Sequence, residues 1–204
     1  MLVAWEVTNM SASVSFDPLV ELAGMWTTEL AERYLPDPGL LPSKYECVDG
    51  NLILSPYEAG PNVYAADELR GLFKGPARAV GLRVYTTVNL QMTAQRWIQP
   101  DITVMRSPVL GTWAKAADAV VVGEFVSPSS RQRDRLDKPA MCAREGIPYY
   151  LRGEVDLRTE TATLWFYRLA DGEYQEVAVA HTGGSFEITE PFPVAFDPIQ
   201  LLDL

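Results

Sequence analysis

Ala119-Val120-Val121-Val122-Gly123-Glu124-Phe125-Val126-Ser127-Pro128 is the stretch on which the reading of the chain turns. Its first half is a short continuous apolar run, the pattern of a strand covered on both faces. The run ends in a carboxylate. Burying a lone carboxylate costs several kcal/mol even after relaxation, so Glu124 requires a partner. Upstream, a second apolar strand over residues 97–105 carries Pro100 and Asp101 in its middle. Acidic side chains set singly on otherwise apolar strands suit a hard divalent cation, which prefers oxygen ligands and, as Mg2+, uses one or two protein carboxylates. Asp101 and Glu124 are therefore the centre of the reading.

Downstream of Glu124 a charged segment reaches Lys138. Pro139 has no amide hydrogen and is tolerated only in the first turn of a helix. The spacing predicts a helix with Asp137 as N-cap and Lys138 and Pro139 just inside it, ending at Gly146. Pro148 to Leu151 then enters another strand. A lysine in the first turn faces the positive end of the helix dipole, which makes that position a suitable phosphate site.

Working back towards the start, residues 17–34 read as one amphipathic helix: Leu19, Ala23, Trp26, Leu30 and Tyr34 recur on one face, and Asp17 caps it. Pro36, Pro38 and Pro42 stop it. Residues 44–55 read as a hairpin about Asp49-Gly50. Gly60-Pro61 opens a second helix with Ala65, Ala66, Leu69, Leu72 and Phe73 on one face, stopped at Gly75-Pro76, with a short helical remnant over 77–80. Residues 82–92 and 97–105 read as two strands, 107–118 is undecided, and 162–169 and 174–180 form a pair about Asp171-Gly172. The tail closes with a short helix over 198–202. This order of elements describes an α/β domain, a central mixed β-sheet flanked by helices. Residues 1–39 form an N-terminal helical extension and 40–204 the main domain.

The whole composition narrows the chemistry. At 204 residues, 48% hydrophobic and 22% charged, the chain is an ordinary globular protein with a substantial core. No apolar run approaches the roughly 18 residues of a membrane span. The N-terminus lacks the basic and apolar regions of a signal peptide, and a cytoplasmic location is expected. Cys47 and Cys142 are too isolated for a zinc site or a disulfide framework, and the single histidine, His181, excludes a His-based metal centre. His181 itself reads as a surface residue. A formal net charge of -10 argues against binding nucleic acid through the overall field. It leaves room for a local basic groove, and the visible cluster is Arg131, Arg133, Arg135, Lys138 and Arg144.

Taken in order, Tyr45-Glu46-Cys47-Val48-Asp49-Gly50, Gln99-Pro100-Asp101, Val121 to Ser130, Asp134 with Lys138, and Gly146-Ile147-Pro148-Tyr149-Tyr150 resemble the Uma-two family of restriction endonuclease-like proteins, within the PD-(D/E)XK nuclease superfamily. The resemblance spans residues 40–202. It implies a restriction endonuclease-like core and an endonuclease that hydrolyses phosphodiester bonds of nucleic acid, DNA in the first instance. Mg2+ or Mn2+ would be held by Asp101 and Glu124. Lys138 would orient the nucleophile or stabilise the phosphorane, and Glu46 would hold a second metal or act as base. It also implies a homodimer. Two positions depart from the pattern: Val126 stands where the superfamily has lysine, and Asn62 stands where relatives often carry histidine.

Other readings of the same residues stay open at this point. Asp101 after Pro100 also suits a turn or bulge, Glu124 an ion pair with Arg131 or Lys138, Lys138 a solvated helix position, and Glu46 a cross-strand pair. Ser127, Ser129 and Ser130 read as turn residues, and Trp165, Phe166 and Tyr167 as strand core and edge rather than a stacking platform. As a whole, the chain also fits a non-catalytic PD-(D/E)XK-fold protein acting in protein or nucleic-acid interaction. A binder or hydrolase of a smaller phosphorylated ligand fits too.

Overall fold

The structure, a computed structural model, describes residues 16–36, 44–55, 58–127 and 132–204. The hairpin forms as expected: β1 (Lys44–Val48) pairs antiparallel with β2 (Asn51–Ser55), and Asp49 and Gly50 both take positive φ, 50° and 78°. Ahead of it, the single helix expected over 17–34 is two helices, α1 (Pro18–Glu21) and α2 (Thr28–Tyr34). The first ends at its Leu22 cap and the chain turns at Gly24, φ 77°, before the Thr27 side chain starts the second by accepting from the Leu30 amide at 3.2 Å. Trp26 drops between them into a small core with Ala31, Cys47 and Trp97. A Cβ on Gly50 would lie 2.3 Å from the Gly24 carbonyl oxygen, so hairpin turn and helix break meet backbone to backbone.

The second helix, α3 (Gly60–Ala79), runs straight through the expected stop at Pro76. A proline inside a helix costs about 3 kcal/mol. Burial of Phe73 and Ala77 on either side of it offsets that cost, because the apolar face continues past the proline.

The two strands expected over 82–105 are four: β3 (Arg83–Tyr85), β4 (Asn89–Thr93), β5 (Arg96–Ile98) and β6 (Ile102–Met105). The interruptions at 86–88 and 99–101 move the chain between two sheets. One has the order β2-β1-β5-β4-β7, with β7 (Trp113–Lys115) parallel to β4. The other is the expected central mixed sheet, β11-β10-β9-β8-β6-β3. In it β8 (Ala119–Phe125) and β9 (Tyr149–Asp156) are parallel, and β10 (Thr161–Ala170) and β11 (Glu173–His181) follow antiparallel. β12 (Phe186–Ile188), β13 (Val194–Phe196) and a 3-10 turn over Pro198–Leu201 close the chain.

Every residue of β8 is buried. Val121 and Phe125 pack under α3 with Leu69, Phe73 and Phe166. Val122 packs on the opposite face with Met141, Cys142, Tyr150 and the second sheet's Leu90 and Ile98. Between β8 and β9 the chain is helical from Gln132, passes through a π-turn over Arg133–Asp137 and continues as α4 (Lys138–Arg144). This corrects the expected start. Asp137 is not an N-cap but sits inside the helix at φ -72°, ψ -49°. The wide turn, in which the Lys138 amide donates to the Arg133 carbonyl, accommodates Pro139 without a helix end. The phosphate site expected at a helix N-terminus by Lys138 falls with it. No helix among the described residues is long and apolar enough to cross a membrane.

Candidate active site

Ile102 and Gly123 are register partners, so Asp101 and Glu124 emerge at the same end of the β6–β8 pair. Asp101 occupies the bend between β5 and β6, as its proline neighbour suggested, and is nevertheless 5% exposed. Its Oδ2 accepts from the Phe125 amide at 2.8 Å, which fixes the carboxylate against β8 one residue past Glu124. Its Oδ1 lies 2.5 Å from the ammonium of Lys44, which also pairs with Glu58 at 3.1 Å.

Glu124 and Glu46 are 2% and 1% exposed, so Glu46 is no surface cross-strand partner. Glu46 Oε1 accepts from the Gln99 amide at 3.0 Å, beside the bend that carries Asp101. The other oxygen of Glu46 contacts Arg133, which in turn donates to Ser55 Oγ at 3.0 Å.

Lys138 stands among these acids and is buried too. Its Nζ lies 2.8 Å from Glu124, 3.1 Å from Glu46 and 3.2 Å from Asp134 one turn earlier. An ammonium has three hydrogens to give, and three carboxylates surround this one. The structure therefore brings Asp101, Glu124, Glu46 and Lys138 into one linked cluster, and it places Lys138 in the protein interior rather than in solvent. Arg131, the other partner considered for Glu124, and Ser129 and Ser130 lie outside the described residues, as do Pro38 and Pro42.

Burial drives the Glu124 carboxyl up to about 8; Lys138 opposes the rise, and Asp101 and Asp134 add to it. For Lys138 burial alone would lower the pKa, but Glu124 and Asp134 outweigh it and the result is raised. Lys44 follows the same pattern, raised chiefly by Asp101. Both lysines stay charged at neutral pH.

Sequence reading missed Lys44. The signal was there, since residues two apart on a strand share a face and Glu46 had been singled out. The role of Asn62 was also hidden: in the first turn of α3 its Nδ2 donates to the Phe125 carbonyl at 3.1 Å, tying that helix to the strand end that carries Glu124. His181 is exposed and meets Thr163 Oγ1 at 2.9 Å. Burial pushes the Cys47 thiol up to about 11 and raises Cys142 as well, so both remain protonated.

The model of the Uma2 family, described as "Putative restriction endonuclease", matches residues 36–203. The chain belongs to the Uma2 family. Among solved structures it is similar to one described as a putative nuclease belonging to DUF820 from Anabaena variabilis, at 16% identity and a TM-score of 0.56. That likeness covers 79% of this chain and 92% of the other, and it is a likeness of fold. No curated protein matches. The Uma2 match takes in the hairpin, both sheets and α4, so every member of the cluster lies inside it, while α1 and α2 precede it.

Among the described residues no three acidic, histidine or cysteine side chains form a ready-made metal cage. Three of the acids are arranged about Lys138 instead. The donor set still fits a cation that keeps most of its waters and takes only one or two carboxylates, as Mg2+ does. Glu46, Glu58, Asp101, Glu124 and Asp134 outnumber Lys44, Arg133 and Lys138. In addition, Glu46 Oε2 and Asp134 Oδ1 are buried and accept no hydrogen bond although Arg133 and Lys138 lie close.

Proposed function

We propose that this Uma2 protein is a divalent-cation-dependent endonuclease acting on nucleic acid, DNA first. The observation that carries the reading is the convergence of buried Asp101 and Glu124 at one end of β6–β8 with Lys138 between Glu124 and Glu46. Asp101 and Glu124 are the residues that would hold Mg2+ or Mn2+. When bound, such an ion polarises the phosphoryl oxygen and lowers the pKa of an attacking water.

The chain's own groups do the rest. Lys138, held charged by its carboxylate neighbours, cannot take a proton at neutral pH. Its part is to orient the nucleophile and offset the negative charge that grows on phosphorus. Glu46 fixes the position of Lys138 and is assigned the water's proton or the support of a second ion. Asp134 holds Lys138 from its own helix. In this reading two copies pair so that both strands of a duplex are reached, which sedimentation of the purified chain checks.

The test is titration of Mn2+ and Mg2+ into the wild type and the Asp101→Asn/Glu124→Gln variant, with thermal melting of each, followed by cleavage assays. Metal-dependent stabilisation and cleavage that vanish in the variant support the reading. If neither protein responds to the metal, the carboxylates are structural and the chain is a non-catalytic interaction protein of the same fold.

A further inference from the structure

Alternation along β10 sends Phe166 into the core and leaves Trp165 and Tyr167 half-buried on the other face. Arg152 on β9 is the register partner of both Glu124 and Trp165, so it is the next side chain across the sheet from the candidate site. Its guanidinium lies 4.0 Å from the centre of the Trp165 ring and 5.8 Å from that of Tyr167. Its Nε is buried and makes no hydrogen bond, with Glu154 no nearer than 3.7 Å.

Beside this row, between α4 and the sheet, is a cavity of about 470 Å3 lined by Arg135, Arg144, Arg152, Tyr150, Tyr167 and Tyr174. Tyr150 and Tyr174 are pinned by donating to the carbonyls of Asp134 and Ile147, at 3.0 and 2.8 Å. Arg135 is matched by Glu154 at 2.6 Å. Arg144, which is exposed, donates to its own helix at Ala140 and pairs with no acid among the described residues. Asp134 and Glu173 are the acidic members of the lining, and Asp134 is already engaged by Lys138 at 3.2 Å. On a chain of net charge -10, three arginines around tyrosine rings mark a place for an anion attached to a flat apolar group.

We infer that this cavity takes one unpaired nucleotide of the strand being cut, its base against Tyr167 and its phosphate on Arg144 and Arg152. The inference rests on the nuclease reading and narrows the substrate to single-stranded or locally unpaired nucleic acid. Rings that stack and arginines that track the backbone are the means by which proteins hold single strands irrespective of sequence. The Glu124–Arg152 adjacency places the neighbouring phosphodiester at the carboxylate cluster. Tyr167, read from sequence as core and edge, then serves the platform role first denied it, while Trp165 backs Arg152 from outside the cavity.

The experiment is fluorescence anisotropy of a labelled oligothymidylate, alone and annealed to its complement, with the full chain in chelator so that no cleavage intervenes. Wild type binds the single strand more tightly than the duplex. Tyr167→Ala weakens single-strand binding about tenfold while Tyr167→Phe does not, and Arg144→Gln lowers the slope of log affinity against log salt by about one. Arg144 is exposed, so its variant keeps the wild-type melting temperature. Preference for duplex, wild-type affinity in both Tyr167→Ala and Arg144→Gln, or no binding by the wild type overturns the inference. The two readings separate cleanly. Metal-dependent cleavage that persists unchanged in Arg144→Gln and Tyr167→Ala keeps the nuclease and removes the nucleotide cavity. Single-strand binding without cleavage does the reverse.

Discussion

Lys44 Nζ lies 2.5 Å from Asp101 Oδ1, on the very oxygen that a cation would seek. Under the proposed function, lysine and metal would compete for one carboxylate. Replacing Lys44 by methionine leaves Asp101 buried without its charge partner. Breaking such a pair costs about 3 kcal/mol. Urea denaturation of metal-free Lys44→Met is expected to show that loss, and Mn2+ titration is expected to show tighter binding than in the wild type. Unchanged stability together with unchanged affinity would sink the rivalry.

Glu124 gives a pH dependence with a definite sign. Its folded pKa of about 8 stands above the ordinary 4.5, so the folded state holds a proton that the unfolded chain releases. The group favours folding most below pH 4.5, and that contribution is lost as pH climbs towards 8. Stability of the metal-free protein, followed by urea unfolding across this window, should decline with pH, and Glu124→Gln should flatten the decline. Equal slopes in the two proteins would count against the assignment.

Asn62→Ala removes the donor to the Phe125 carbonyl and leaves a buried acceptor unsatisfied. The expected cost is about 2 kcal/mol, read from chemical denaturation. Because the carbonyl belongs to the residue after Glu124, cleavage should fall by more than the loss of folded protein explains. A variant as stable and as active as the wild type refutes a tie between α3 and the site.

Gly153→Ala is expected to destabilise by about 2 kcal/mol, since the new methyl would lie 2.4 Å from the edge of the buried Phe125 ring. Paired with Phe125→Leu, which vacates that space, the alanine should be better tolerated. Equal losses in both backgrounds would show that the ring is not the obstacle.

How much of this was legible beforehand depends on the range of the interaction. Asp101 and Glu124 announced themselves because a carboxylate on an apolar run is costly wherever it folds. Asp134 and Lys138 are one helical turn apart, and that spacing is visible in the chain. The hairpin turn at Asp49-Gly50 declared its own geometry. Lys44 shares a strand face with Glu46, which is local, but its partner Asp101 is met only because β1 pairs with the distant β5 in the same sheet. The division of residues 82–105 between two sheets is equally a matter of tertiary packing, because short strands with the same local pattern pair with different neighbours. Pro76 and Pro139 misled for a common reason: local rules priced the missing amide hydrogen, while burial in one case and a π-turn in the other absorbed it.

The backbone contact between Gly24 and Gly50 carries a practical consequence. The strand that presents Lys44 and Glu46 ends in a turn seated on a segment that precedes the family match, with Trp26 filling the space over Cys47 and Trp97. A chain trimmed to residues 36–203 would keep every acidic and basic group of the cluster yet lose the foundation under two of them. Domain boundaries drawn by kinship and those drawn by packing part company here, because the packed unit begins ahead of residue 36.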